Sequence, residues 1–143
     1  MTQSELRVLV VDDEAPARAR LRDLLGDIRE EQPNRIAGFA ANGEEALRLV
    51  ESEKPDVVLA DIRMPGMDGN DATRAIRARE QATGHHTPII AMSAETAQDD
   101  INRSMAAGMD DHLAKPLTLD ALAAKLRRWL DIPLTIKQLD PDD

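Results

Sequence analysis

Cysteine is absent from the 143 residues, which rules out disulfides and thiolate metal sites and is compatible with a reducing compartment. Aromatic residues make up only 1% of the chain, Phe39 and Trp129, so Leu, Val, Ile, Met and Ala must fill whatever core forms. No apolar run approaches the roughly 20 residues a membrane span needs. Leu6 to Val11 is too short for the core of a secretion signal and carries Arg7. Clustered positive charge is missing as well. The 18 basic and 27 acidic residues leave a net charge of −9, which argues against a surface that neutralises nucleic-acid phosphates. These absences predict a cytoplasmic protein, or an excised cytoplasmic domain, that engages neither membrane nor nucleic acid.

Hydrophobic residues form 42% of a length suited to one domain. Short apolar runs alternate with helical spacing. Leu6 to Val11 reads as a first strand, and Pro16 then opens a helix in which Ala17, Leu21, Leu24, Leu25 and Ile28 recur. After a polar break over 30–34, Arg35 to Ala41 reads as a second strand with Phe39 turned inward. Asn42 is placed to cap a helix carrying Ala46, Leu47 and Val50. Val57 to Asp61 is a third strand, apolar enough to be buried on both faces. A helix from Gly69 to about Ala82 leads to a fourth strand, Pro88 to Met92. The next helix, Thr96 to Ala107, has a weaker pattern, with Ile101 and Met105 inward. Asp111 to Ala114 is a fifth strand. Thr118 caps a last helix striped by Leu119, Leu122, Ala123, Leu126, Trp129 and Leu130. Strict alternation predicts an α/β fold, a doubly wound five-stranded parallel sheet with five helices and right-handed crossovers. The domain is expected over residues 1–131, with 132–143 as a C-terminal tail or linker.

In such a sheet ligands bind beyond the C-terminal strand ends. The first strand ends in Asp12 and Asp13, the third in Asp61, the fourth in Ser93 and the fifth in Lys115. Taken singly, each has an ordinary use as a helix cap, a turn residue or a solvated lysine. Taken together, they converge on one edge. Three carboxylates there repel one another at low dielectric, and a hard divalent cation such as Mg²⁺ relieves that repulsion. Metal, ammonium and hydroxyl around one carboxylate make a cradle for a phosphoryl group, and aspartate is a competent nucleophile for it. Asp61, which directly ends the central strand, is the candidate acceptor.

Four motifs carry a resemblance. They are Val10-Val11-Asp12-Asp13-Glu14, then Asp61-Ile62-Arg63-Met64-Pro65-Gly66-Met67-Asp68-Gly69, then Met92-Ser93-Ala94, and Ala107-Gly108-Met109-Asp110-Asp111-His112-Leu113-Ala114-Lys115-Pro116. Over roughly residues 6 to 130 the chain resembles the receiver domain of two-component response regulators, whose fold is flavodoxin-like. The resemblance implies that Asp61 accepts a phosphoryl group from a phosphohistidine of a sensor histidine kinase or histidine phosphotransfer domain. It implies Mg²⁺ held by Asp12, Asp13, Asp61 and the backbone carbonyl of Arg63. Ser93 and Lys115 would contact the phosphoryl oxygens, and the peptide before Pro116 would be cis. The implied role is a signalling phosphoacceptor that assists its own phosphorylation and dephosphorylation, not a turnover enzyme. Its switch pairs Ser93 with an aromatic on the fifth strand, a position occupied here by His112. Arg63 and Glu95, two residues beyond Asp61 and Ser93, are expected to tune the lifetime of the acyl phosphate. The segment Asp13 to Arg18 is similar to stand-alone regulators, whereas His86 to Ala94 is similar to receivers fused to hybrid sensor kinases. An unusual lineage or a chimera fits that mixture.

Other readings fare worse. A haloacid-dehalogenase-type phosphatase needs a second Asp two positions after the nucleophile, where this chain has Arg63. A flavodoxin-type cofactor domain needs a hydroxyl- and glycine-rich loop where Asp12-Asp13-Glu14 would repel a phosphate. A degenerate receiver, kept only as a binding module, would have lost part of the site, yet all its residues are present. His85 and His86, in a loop without nearby carboxylates, read as solvated, and Trp129 reads as packing.

Overall fold

The computed structural model describes residues 5–30, 32–64, 66–94 and 98–139. Side chains along β1 (Leu6–Val11) alternate between two cores, because successive Cβ atoms leave a strand on opposite faces. Val8 and Val10 join one cluster with Leu21, Leu25, Leu122 and Leu126. Leu9 and Val11 join another with Ala46, Val58 and Ile76. Helices α1 (Ala15–Ile28) and α5 (Leu119–Leu139) therefore cover one face, and α2 (Gly43–Glu53) and α3 (Gly69–Thr83) the other, with α4 (Gln98–Ala107) beside α3. The remaining strands are β2 (Asn34–Ala40), β3 (Val57–Asp61), β4 (Ile89–Ala94) and β5 (Asp111–Lys115). All pairings are parallel, in the order β2-β1-β3-β4-β5, the doubly wound arrangement of flavodoxin-like folds. Among the described residues no helix is long and apolar enough to cross a membrane.

Local chemistry fixes where the helices start. The Asn42 side chain accepts from the Glu45 amide at 2.9 Å, and Thr118 from the Ala121 amide at 3.2 Å. Asp68 and Asp71 form a reciprocal capping box at α3. Gly69 then begins α3 directly against the end of β3. A Cβ there would stand 2.4 Å from the carbonyl oxygen of Asp61, so only glycine lets the helix start so close to the strand.

Several expectations need correction. Phe39 is 40% exposed, not inward. β2 is an edge strand, and a register shift between Val8 and Leu9 resets its alternation. A Cβ at Gly38 would instead meet Leu49 and Leu9, and Ala40 joins the second core. Asn34, placed in a polar break, is in β2 and fully buried, its amide donating to the carbonyls of Leu25 and Gln32. Met105 and Leu119 are exposed. The inward face of α4 is Asp100, Ser104 and Ala107, a polar pattern that hydrophobic spacing could not reveal. Finally, α5 continues past Asp131 through Pro133 to Leu139. Proline usually ends a helix, but Ile132, Ile136 and Leu139 keep the helical spacing that marks this continuation.

Candidate functional site

Asp12 directly follows β1 and has no exposed surface. Its Oδ1 accepts the Glu14 amide at 3.0 Å, and Arg18 of α1 holds its carbonyl at 2.7 Å. Asp61 ends β3, 7% exposed, with Oδ1 accepting the Arg63 amide at 3.2 Å. Lys115, arriving from β5, sets its Nζ 3.3 Å from Asp12 Oδ2 and 3.4 Å from Asp61 Oδ2. Carboxylate oxygens of Asp12, Asp13 and Asp61 lie within 4.8 Å of one another. Ser93 of β4 is 4% exposed, and its hydroxyl has no hydrogen-bond partner among the described residues. Such orphans are uncommon in buried positions and ask for an explanation. These residues, except Asp12, line one cleft together with Glu14, Arg63 and Pro116. The Lys115–Pro116 peptide is cis.

The electrostatics follow from burial and neighbours. Burial pushes the Asp61 carboxyl above the usual carboxylate range, and Asp12 adds to it. Lys115 and the Arg63 amide pull it back only partly. Burial works against the Lys115 ammonium, but Asp61 and then Asp12 outweigh it and hold the group above its ordinary value. One ammonium thus pairs with two of the three clustered carboxylates, leaving negative charge in excess. An all-oxygen, hard donor set of this kind fits Mg²⁺, and the unpartnered Ser93 hydroxyl fits a phosphoryl oxygen.

The Arg63 side chain, which lines the cleft, is held by Asp100. Its Nε and Nη2 donate to Asp100 Oδ2 at 3.1 and 2.5 Å, and Arg103 holds Asp100 Oδ1. Asp100 was not among the expected site residues, since its partner lies 37 positions earlier and an Asp in a helix's first turn is common. Glu95 lies outside the described residues. His112, the second residue of β5, is 39% exposed at the side chain, and its amide donates to Asp111 Oδ1 at 2.8 Å. His86 is not free of carboxylates, contrary to the sequence expectation. Its Nε2 is 2.7 Å from Asp110 Oδ1, and Glu80 lies nearby. Arg77 binds both acids, so the cluster is a structural anchor. Trp129 packs against the α1/α5 core and also donates to Asp111 Oδ2 at 2.9 Å.

Comparison with known proteins gives a consistent picture. The family described as "Response regulator receiver domain" matches residues 8–127. Sensor protein GacS of Pseudomonas syringae pv. syringae is 36% identical over 129 residues, 90% of this chain and 14% of GacS. Response regulator MprA of Mycolicibacterium vanbaalenii is 34% identical over 142 residues, 96% of this chain and 53% of MprA. The chain therefore spans only part of the length of these relatives. The receiver domain of sensor histidine kinase PA1611 from Pseudomonas aeruginosa PAO1 superposes with a TM-score of 0.75 at 34% identity, covering 88% of this chain and 98% of that one. That structure has a magnesium ion coordinated in its active site cleft. A chain of the co-crystal of the Saccharomyces cerevisiae phosphotransfer protein Ypd1 with the receiver domain of Ssk1 matches at 26% identity and a TM-score of 0.75, covering 90% of this chain and 91% of that one.

Proposed function

Since this chain belongs to the response regulator receiver domain family, we propose that it takes a phosphoryl group onto Asp61 from the phosphohistidine of a sensor histidine kinase or histidine phosphotransfer domain, and signals by changing conformation. The observation that carries this is the convergence of Asp61 with the Lys115 ammonium and the unpartnered, buried Ser93 hydroxyl. The Ypd1–Ssk1 pairing and the magnesium in the PA1611 receiver support it by analogy.

The chemistry can be assigned to this chain's residues. The Arg63 amide fixes Asp61 Oδ1, which orients the carboxylate for in-line attack. An Asp61 oxygen forms the new P–O bond as the P–N bond to the donor imidazole breaks, and the imidazole departs with that electron pair. Lys115 neutralises charge on the phosphoryl oxygens, and the Ser93 hydroxyl donates to one of them. Mg²⁺ held by Asp12, Asp13, Asp61 and the Arg63 carbonyl would supply the remaining charge neutralisation. A Ser93 side chain with no bond to break is free to turn toward the new group. His112 on the neighbouring strand is its proposed partner in the switch. Arg63 is proposed to influence acyl-phosphate lifetime. Residues 1–131 are taken as the signalling unit, acting in the cytoplasm, with 132–143 as its connection onward.

Incubation with phosphoramidate or acetyl phosphate plus Mg²⁺ tests this. One phosphoryl group per chain, acid-stable and base-labile, is the expected mass change, and Asp61→Asn abolishes it. Wild-type stoichiometry in that variant would move the acceptor elsewhere. Catalytic phosphate release without a retained adduct would favour a phosphatase.

A further inference from the structure

We infer that Asp100, on α4, is a positioning residue for the phosphoryl chemistry, acting through Arg63 to hold the loop that follows the phosphoacceptor. This rests on the function proposed above. Asp100 is 6% exposed and heads an inward helix face that is otherwise small or polar. Burying a carboxylate is unfavourable unless it is paired, and its partners here are specific. Arg63 places two N–H groups on Oδ2, and Arg103 takes Oδ1.

The Arg63 side chain is 74% exposed, so packing does not fix it. Its chain neighbours are fixed, because Ile62 and Met64 are 4% and 8% exposed. Residue 63 is thus a solvent-facing link between two anchored ones, and the grip on Asp100 sets its orientation. That orientation matters because the Arg63 backbone serves the site twice. Its amide holds Asp61 Oδ1 at 3.2 Å, and its carbonyl is the proposed Mg²⁺ ligand. A simpler role for Asp100 is to stabilise the start of α4 as an acid near a helix N-terminus. That role makes no reference to Arg63, and the two are separable.

The test is an Mg²⁺ titration followed both by calorimetry and by the rate of phosphorylation from phosphoramidate. Groups that orient metal ligands from one shell out change affinity by roughly 10–100-fold when removed. Asp100→Asn is expected to raise the half-saturating Mg²⁺ concentration by about tenfold, the lower end of that range. The phosphorylation rate at saturating Mg²⁺ should fall less than about twofold, since what is lost is order in a ligand, not a reacting group. Asp100→Glu should recover most of the affinity. Arg63→Ala, which leaves Asp100 paired with Arg103, should match Asp100→Asn, and the double variant should be no worse than either single one. Arg103→Ala should bind Mg²⁺ as wild type does. Unchanged Mg²⁺ affinity in Asp100→Asn, or additive effects in the double variant, would overturn the inference. A wild-type protein that takes no phosphoryl group at all would instead defeat the proposed function, with the calorimetric Mg²⁺ comparison still deciding the role of Asp100.

Discussion

Replacing Lys115 by Met keeps the aliphatic stem and removes the ammonium that faces Asp12 and Asp61. At 3.3 and 3.4 Å, each pair has a gross attraction of roughly 5 kcal/mol at an effective dielectric of 20. Desolvation offsets most of that, and removing one partner of a fully buried pair typically costs about 3–5 kcal/mol. The Lys115 side chain is 31% exposed, so solvent screening lowers the expected loss to about 2 kcal/mol. For a domain of this size that is a fall in Tm of about 6 °C. The assay is denaturant and thermal unfolding in EDTA at pH 7, where no divalent cation can substitute for the ammonium.

The pH dependence gives the sharper test. Burial and then Asp12 hold the Asp61 carboxyl above its usual range. An acid raised in the folded state favours folding below its unfolded pKa, and that contribution disappears as pH rises through the folded pKa. Without Lys115 the upward shift grows, so the penalty falls on neutral pH and fades on acidification as Asp61 becomes protonated. The deficit of Lys115→Met should accordingly narrow on acidification, and narrow again at pH 7 when Mg²⁺ is added. A deficit of equal size at pH 4 and pH 7 would show that lost packing, not uncompensated charge, is responsible, and the electrostatic account of the cleft would fail.

Three further outcomes are expected. Mg²⁺ at a hundredfold excess over its dissociation constant should stabilise the protein by about 2.7 kcal/mol relative to EDTA. Asp13→Ala should lose most of that gain, and coincident melts of the wild type would count against the metal site. Ser93→Ala removes a buried hydroxyl that has no partner among the described residues, so stability should change by no more than about 0.5 kcal/mol while phosphorylation slows; a large stability loss would mean the hydroxyl is bonded in solution. For Asp111, burial pushes the carboxyl up, but hydrogen bonds from Lys125 and Trp129 and from the His112 amide outweigh it and hold it below the usual range. Its contribution is present above the unfolded pKa and lost as pH falls through the folded one. Asp111→Asn should therefore cost about 2 kcal/mol at pH 7, cost little in strong acid, and shift the emission of Trp129.

The sheet was legible because β1, β3 and β4 are near-continuous apolar runs, and the strict alternation with helices dictates parallel pairing. The strand-end residues were legible for the same reason: parallel topology gathers Asp12, Asp13, Asp61, Ser93 and Lys115 without any knowledge of side-chain contacts. What escaped depends on contacts between distant residues. Asp100 declares itself only once Arg63 is beside it, and His86 only once Asp110, 24 positions away, closes over it. Phe39 escaped because a register shift in an edge strand exchanges inside for outside, and the shift has no sequence signature comparable to a glycine turn. The extension of α5 escaped because Pro133 reads as a stop more strongly than the apolar spacing around it reads as a continuation.

The position of Lys115 in the chain has a consequence for how the domain assembles. It sits on β5, which is last in sequence and an outer strand that pairs only with β4, and it meets Asp12 across 103 residues. A chain that folds from its N-terminal end brings Asp12, Asp13 and Asp61 together on β1 and β3 before any ammonium reaches them. Until β5 docks, those carboxylates would face one another without their ammonium, so part of their repulsion is relieved only when this long-range contact closes.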